Sequence, residues 1–416
     1  MNQPRSQDRP RRSFSGSPLF LIAAILAVVG VLAFYLKSQA PAQPPQAEAP
    51  APTNTATATL AAVGDLTISD VLAADALQSD GSYDFGSCLL NVTPLLSGAD
   101  LTVGNLELTF SGSPYGGENA SAPDSLAAAL GSAGFDLLQT ANSKSLAGGI
   151  SGLRSTLNTL QANGLTALGT FGTQAALNDA GHVVLREVNG IRIAFFAFTK
   201  GFGGMSIPTG SEYCASLLYT DYNTAYQKID RDAILAVIDE AQALDPDVIV
   251  AMVHWGSEYR MTVSQSQKDI AKLMFTNGVD VILGSHSHMV GPMETQHVTT
   301  ASGEEKDVFV AYSLGNFLSS DDETYTRESV VLNLEFVKDL DTGKTTIGST
   351  DYVPVYLADF GEDAANRFQT LEISQAMELY DSAYLGRVNE ATYNAMQQAL
   401  EDLAKHTAPP EETASK

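Results

Sequence analysis

The chain has 416 residues, 44% hydrophobic and 17% charged, which suits one large domain or two ordinary ones and excludes a disulfide-stapled mini-domain or a charge-rich disordered protein. Lys and Arg number 23 against 48 Asp and Glu, and the resulting net charge of −25 repels phosphate backbones and argues against nucleic-acid binding.

Residues 19–36 (LFLIAAILAVVGVLAFYL) are an unbroken apolar run of 18 with no charge, just long enough to span a bilayer as a helix. Arg5, Arg9, Arg11 and Arg12 precede it, so the positive-inside rule puts the N-terminus in the cytoplasm and the rest of the chain outside. Uniform apolarity argues against a buried core helix, which would be amphipathic. Ser38-Gln39-Ala40 leaves a cleaved signal peptide open as the alternative, and Arg11-Arg12 a twin-arginine export signal; the length of the run favours a retained anchor. The expected order is a basic cytoplasmic tail (1–17), a transmembrane signal-anchor (18–37), a Pro/Ala/Thr-rich tether (38–59), a main domain (60–358) and a helical C-terminal extension with a disordered end (359–416).

From residue 60 short apolar runs alternate with helical patterns. Residues 60–63, 101–103, 135–140, 248–253, 279–283 and 308–312 read as buried strands. Residues 230–244 and 264–276 read as amphipathic helices, and 182–199 as a hairpin turning at Asn189-Gly190. Residues 330–356 add alternating strands around Asp341-Thr342-Gly343, and 364–385 and 389–404 read as helices. The class is α/β with a mixed sheet or a pair of sheets. Cys88 and Cys214 are too few for a disulfide framework; whether they form one bridge depends on a distance the sequence does not give.

Each of the six apolar runs ends in polar residues. Gly64-Asp65, Gly104-Asn105-Leu106-Glu107, Ala141-Asn142-Ser143-Lys144, His254-Trp255-Gly256-Ser257-Glu258, Gly284-Ser285-His286-Ser287-His288 and Ser313-Leu314-Gly315-Asn316 follow in turn. In α/β folds ligands bind beyond the carboxyl ends of the strands, and glycine there lets backbone approach closely. Singly each residue is ordinary, since Asp after Gly is a common turn residue and a lone histidine a common core residue. Together they describe a site. Its nitrogen and oxygen donors, without cysteine, suit Mn, Zn or Fe, and metals so held acidify bound water and polarise phosphoryl or carbonyl oxygens. His286-x-His288 is expected to put both imidazoles on one side of an extended segment, serving one ion or two neighbouring ones. His182, His297 and His406 lie elsewhere and read as structural or surface residues.

Val63-Gly64-Asp65, Asn105-Leu106-Glu107, His254-Trp255-Gly256-Ser257-Glu258-Tyr259, Gly284-Ser285-His286-Ser287-His288 and Tyr312-Ser313-Leu314-Gly315-Asn316-Phe317 resemble, in order from about residue 60 to about 356, the CapA family of capsule or poly-γ-glutamate synthesis proteins. The resemblance implies a calcineurin-like, metallophosphatase-type two-sheet sandwich flanked by helices, preceded here by one N-terminal transmembrane helix. It implies metal-ligand roles for Asp65, for Asn105 or Glu107, and for His254, His286 and His288. One segment departs from the family pattern, which reads Ala-Asn-Asn-His followed by an Asp. Ser143 stands at the second Asn, Lys144 at the His and Ala147 at the Asp. Serine is a poor metal ligand and an ammonium competes with a second cation, so at most one divalent ion is expected, or none. Lys144 and Glu258 are the candidate catalytic residues, Asn142 and Asn316 the candidate substrate contacts, and Lys144 is a candidate contact for an anionic substrate. The implied role is the synthesis, export or processing of an anionic surface polymer, with the membrane and the polymer or its synthesis machinery as partners. A metal-dependent surface phosphoesterase and a catalytically degenerate scaffold of a membrane assembly are the alternatives.

Overall fold

The structure, a computed structural model, describes residues 54–382 and 387–410. The apolar run 19–36 and the end of the chain lie outside these residues, and among the described residues no helix is long and apolar enough to cross a membrane.

Two sheets face each other. The first carries β1 (Thr55–Leu66), β2 (Leu101–Leu106), β3 (Leu137–Gln139) and β4 (Thr166–Leu168) as parallel neighbours in that order. The second begins with the antiparallel hairpin β5 (Val184–Val188) and β6 (Ile191–Thr199). It continues through β7 (Val248–His254) and β8 (Val281–Ser285), both parallel to β6, to the antiparallel pair β9 (Met293–Thr299) and β10 (Glu305–Ala311). The chain then returns to the first sheet. There β11 (Asn316–Leu318) pairs with β1, while β12 (Glu328–Asp339), β13 (Thr345–Asp359) and β14 (Phe368–Glu372) extend its other side.

Strand periodicity explains the layers. In β7, Val248, Val250 and Met252 face the space between the sheets, whereas Ile249, Ala251 and Val253 pack under the helices α1 (Arg231–Ala243) and α2 (Gln265–Thr276). In β1, Leu60 and Ala62 join the inter-sheet core, and Ala61 and Val63 pack on the opposite face. Both faces are buried, so these strands read as continuous apolar runs. The helices start where side chains cap them: Asp230 accepts from the Ala233 amide, and Ser264 and Gln267 form a capping box. Asn189 (φ 53°) and Gly190 (φ 79°) make the hairpin turn where the sequence places it.

Two expectations need correction. The first strand starts at Thr55, so residues 55–59 belong to the sheet and not to a tether. Their alternating Thr-Ala pattern is weakly apolar, and pairing with β12 holds them. Residues 364–385 are not one helix: β14 pairs with β13 before α3 (Ile373–Asp381) begins. The C-terminal helices pack onto the domain: Ile373 and Ala376 of α3, and Met396, Ala399 and Leu403 of α4 (Glu390–His406), belong to the inter-sheet core cluster. Cys88 and Cys214 are buried, unbridged and in different clusters.

Backbones come very close at the strand ends. A Cβ on Gly64 would overlap the carbonyl oxygen of Gly315, and one on Gly284 would overlap that of Tyr312 and lie 2.7 Å from Nε1 of Trp255. Gly284→Ala is therefore expected to destabilise the fold by about 1–3 kcal/mol, read as a lower urea midpoint. Under α4, the buried Glu328 lies 3.7 Å from His406 with Oε2 unpartnered. Burial, with the nearby Asp402 charge, pushes its carboxyl up to about 7. A raised acid holds a proton the unfolded chain has already released, so this site loses stability as pH rises from about 4.5 to about 7. Glu328→Gln should leave the melting temperature near pH 4 unchanged and raise it at pH 8; an equal shift at both would contradict this.

Candidate metal centre

Strand register assembles the site before any side chain is considered. Asp65 in β1 lies opposite Asn105 in β2 and Asn316 in β11, and His254 in β7 lies opposite Ser285 in β8. The parallel strands of both sheets thus bring their carboxyl ends to one end of the sandwich. His286 and His288 follow β8 with φ of 101° and 60°. They therefore reach the site through left-handed backbone, not along the extended segment expected from the sequence, and such strain in non-glycine residues concentrates at functional sites. The His286 amide donates to Asp65 Oδ2 at 3.4 Å, joining the two sheets.

The donors converge in a space almost closed to solvent. Asp65, Asn105, Glu107, Asn142, His254 and Asn316 are all at most 2% exposed, and His286 and His288 are 6% and 9% exposed. Asn105 Nδ2 donates to Asp65 Oδ1 at 2.7 Å, and Asn142 Nδ2 donates to Asn105 Oδ1 at 3.0 Å and to the Leu106 carbonyl at 2.7 Å. Asn142 Oδ1 in turn accepts from the Lys144 amide at 3.1 Å. Both ends of Asn142 are thus engaged internally, and it orients Asn105 where the sequence suggested a substrate contact. Asn105 likewise holds Asp65, with its own oxygen occupied. The Ser143 hydroxyl donates to Glu107 Oε1. His288 Nδ1 lies 3.0 Å from Asn316 Oδ1 and 3.1 Å from Asp65 Oδ2, and His254 Nδ1 lies 3.1 Å from Ser285 Oγ.

The charges follow from burial. Burial and the Asp65 charge push the Glu107 carboxyl up to about 7. Burial holds His254 well below the ordinary imidazole value, and burial with the Lys200 ammonium pushes His286 down to about 3. Burial opposes the charged form of His288, but its bond to Asp65 and the Glu107 charge outweigh this and raise it to about 10. Two imidazoles are therefore neutral and one is the counter-ion of the carboxylates.

Two overlapping donor sets result, Glu107–His254–His286 and Asp65–Glu107–His288. The first contains two buried ring nitrogens, His254 Nε2 and His286 Nδ1, without a hydrogen-bond partner. Buried polar atoms are rarely left so, and neutral imidazole nitrogens beside a carboxylate fit a divalent cation. In the second set His288 Nδ1 is already taken by Asp65 and Asn316. Asn316 keeps an unpartnered Nδ2. Glu258 is exposed on the loop after β7, outside the buried cluster. Lys144 is partly buried, close enough for its charge to act on Glu107 and on both neutral histidines.

Lys200 is the residue the sequence reading missed. It follows β6, with Nζ 2.7 Å from the Gly256 carbonyl and 3.4 Å from His286 Nε2. The regularity that exposed the other ends, an apolar run followed by polar residues, is also present in Phe198-Thr199-Lys200-Gly201. A cleft of about 990 Å³ opens at the opposite ends of β7 and β8. Its half-buried carboxylates Asp247 and Asp280 are paired with Lys338 and Lys306 at 2.8 and 2.6 Å, and no three potential metal ligands converge there among the described residues.

Residues 59–321 match the family described as bacterial capsule synthesis protein PGA_cap. The chain belongs to this family. It is 28% identical over 222 residues to a PGA biosynthesis protein CapA of Bacillus subtilis (strain 168), covering 52% of this chain and 51% of that protein. It is 29% identical over 217 residues to a capsule biosynthesis protein CapA of Bacillus anthracis, covering 51% and 47%. The chain thus spans about half the length of these relatives. A 5'-nucleotidase precursor from Thermus thermophilus is similar in structure at 13% identity and a TM-score of 0.42, covering 84% of this chain and 58% of that one. The family's matched region takes in every candidate ligand, from Asp65 to His288, and Asn316 beyond them.

Glu107 is ionised above pH 7 against its environment. In metal-free protein Glu107→Gln is expected to raise the melting temperature at pH 8 while removing metal uptake. A lower melting temperature with uptake intact would overturn the reading of Glu107 as a ligand.

Proposed function

We propose that this PGA_cap protein holds one divalent cation between Glu107, His254 and His286 and uses it in making, exporting or processing an anionic cell-surface polymer. The pair of buried, unpartnered nitrogens on His254 and His286, beside the Glu107 carboxylate, carries this reading. The cation is Mn, Zn or Fe by the chemistry of its donors, and when bound it supplies Lewis acidity toward a phosphoryl or amide oxygen. The chain's own residues do the rest. Asn105, braced by Asn142, keeps Asp65 turned toward His288. The Asp65–His288 pair and the Ser143 hydroxyl on Glu107 fix the wall of the site, and Asn316 Nδ2 is a free donor for a substrate oxygen. Burial keeps bulk water from competing for these bonds.

One ion and not two is supported by the state of the second donor set. Its His288 nitrogen is satisfied by Asp65 and Asn316, and the Lys144 ammonium acts on the Glu107 carboxylate both sets share. The same proposal places the domain outside the cytoplasmic membrane on a tether, because residues 19–36 form a span-length apolar run behind four arginines.

The test is elemental analysis of the purified full chain after equilibration with Mn and Zn, with His254→Ala and His286→Ala beside it. About one equivalent in the parent and at least tenfold weaker uptake in both variants is expected. Two equivalents would overturn the single-ion assignment. Folded protein that takes up neither metal would exclude the catalytic reading and favour a binding scaffold.

A further inference from the structure

The metal reading leaves two cations unexplained. We propose that Lys200, together with Lys144, forms an anion cradle at the metal centre that receives a carboxylate or phosphoryl group of the substrate. The inference rests on the metal assignment above and names the chemistry of what that site takes.

The two lysines come from different sheets. Lys144 follows β3 of the first and Lys200 follows β6 of the second, in a chain whose net charge is −25. Lys200 is half-buried and held in place. Its Nζ donates to the Gly256 carbonyl at 2.7 Å, and it lies 4.6 Å from the centre of the Tyr226 ring. An ammonium has three donors. The carbonyl takes one, the ring faces another, and the remaining direction leads to His286 Nε2 at 3.4 Å.

That last contact changes character when the site is loaded. An imidazole that gives Nδ1 to a metal carries its proton on Nε2. Two donors would then face each other, and the half-buried Lys200 would have an N–H without a protein acceptor. The Glu258 charge acts on Lys200 from the exposed loop, without a hydrogen bond to it among the described residues. Lys144 stands on the other side of the cluster. Its backbone amide is fixed by Asn142, its neighbour Ser143 is bonded to Glu107, and its ammonium has no hydrogen-bond or ion-pair partner among the described residues. Both ammonium charges bear on His254 and His286. Two cations placed around a cation site repel it and each other. A ligand bringing negative oxygen supplies the acceptor Lys200 lacks and removes that repulsion.

Calorimetric titration of the Mn-loaded full chain with inorganic phosphate and, separately, with glutarate tests this, with bound metal measured in every sample. Binding of at least one probe is expected, weakened about tenfold to a hundredfold in Lys200→Gln and in Lys144→Gln at unchanged metal content. Lys200→Arg, which keeps the charge, should recover most of the affinity. The probe that binds more tightly identifies the oxygen type. If Lys200→Gln does not fold, Lys144→Gln, on a partly exposed loop, and Lys200→Arg decide the matter. Parent-like affinity in the glutamine variants at normal metal content, or no binding of either probe by the loaded parent, would overturn the cradle and leave the metal assignment standing. A parent chain that takes up no metal would overturn both.

Discussion

Two carboxylates, Asp65 and Glu107, are buried almost completely where the two sheets meet, and the rest of that end of the molecule is arranged around them. An isolated buried charge is strongly unfavourable unless it is paired and hydrogen-bonded. Asn105 and His288 bind Asp65, Ser143 binds Glu107, and Asn142 holds Asn105. Even so the compensation is incomplete, since Glu107 still resists ionisation and two imidazole nitrogens still lack partners. A divalent ion between Glu107, His254 and His286 would satisfy both nitrogens and the Glu107 carboxylate together.

The precision this requires comes from the strands. Side chains at the ends of paired strands inherit the register of the ladder, so Asp65, Asn105 and Asn316 are neighbours because β1 lies between β2 and β11. Close backbone approach at Gly64 and Gly284 keeps those ends together, and the left-handed backbone at His286 and His288 turns two imidazoles back over them. The apolar layers beneath hold the strained turn in place. The C-terminal helices contribute as well, by closing the inter-sheet core with Met396, Ala399 and Leu403.

Ser143 and Lys144, where the resemblance implies Asn and His, act on the site through a hydrogen bond and a charge. Ser143 braces Glu107 by a hydrogen bond, and Lys144 adds positive charge that acts on the Glu107 carboxylate. With Lys200 on the other sheet, two lysines stand beside the buried carboxylates in a protein that is strongly acidic overall.

Much of this was legible in the sequence. Buried strands announced themselves as apolar runs, the hairpin by Asn189-Gly190, the helices at 230–244 and 264–276 by their amphipathic pattern, and the site by the polar residues that follow each run, because all of these depend on neighbours close along the chain. The weakly apolar start of β1, the short strands β4, β11 and β14, and the docking of the C-terminal helices were not legible, since pairing with distant strands decides them. The same limit applied within the site. The sequence supplied Asp65, Asn105 or Glu107, His254, His286 and His288 as donors. Only the tertiary structure decided that Asn142 would be consumed in holding Asn105, that His288 would pair with Asp65 while His254 and His286 stayed free, and that Lys200 would stand beside them. Residue type fixes what a side chain can bind; its partner depends on which strand ends the two sheets bring within a hydrogen bond of one another.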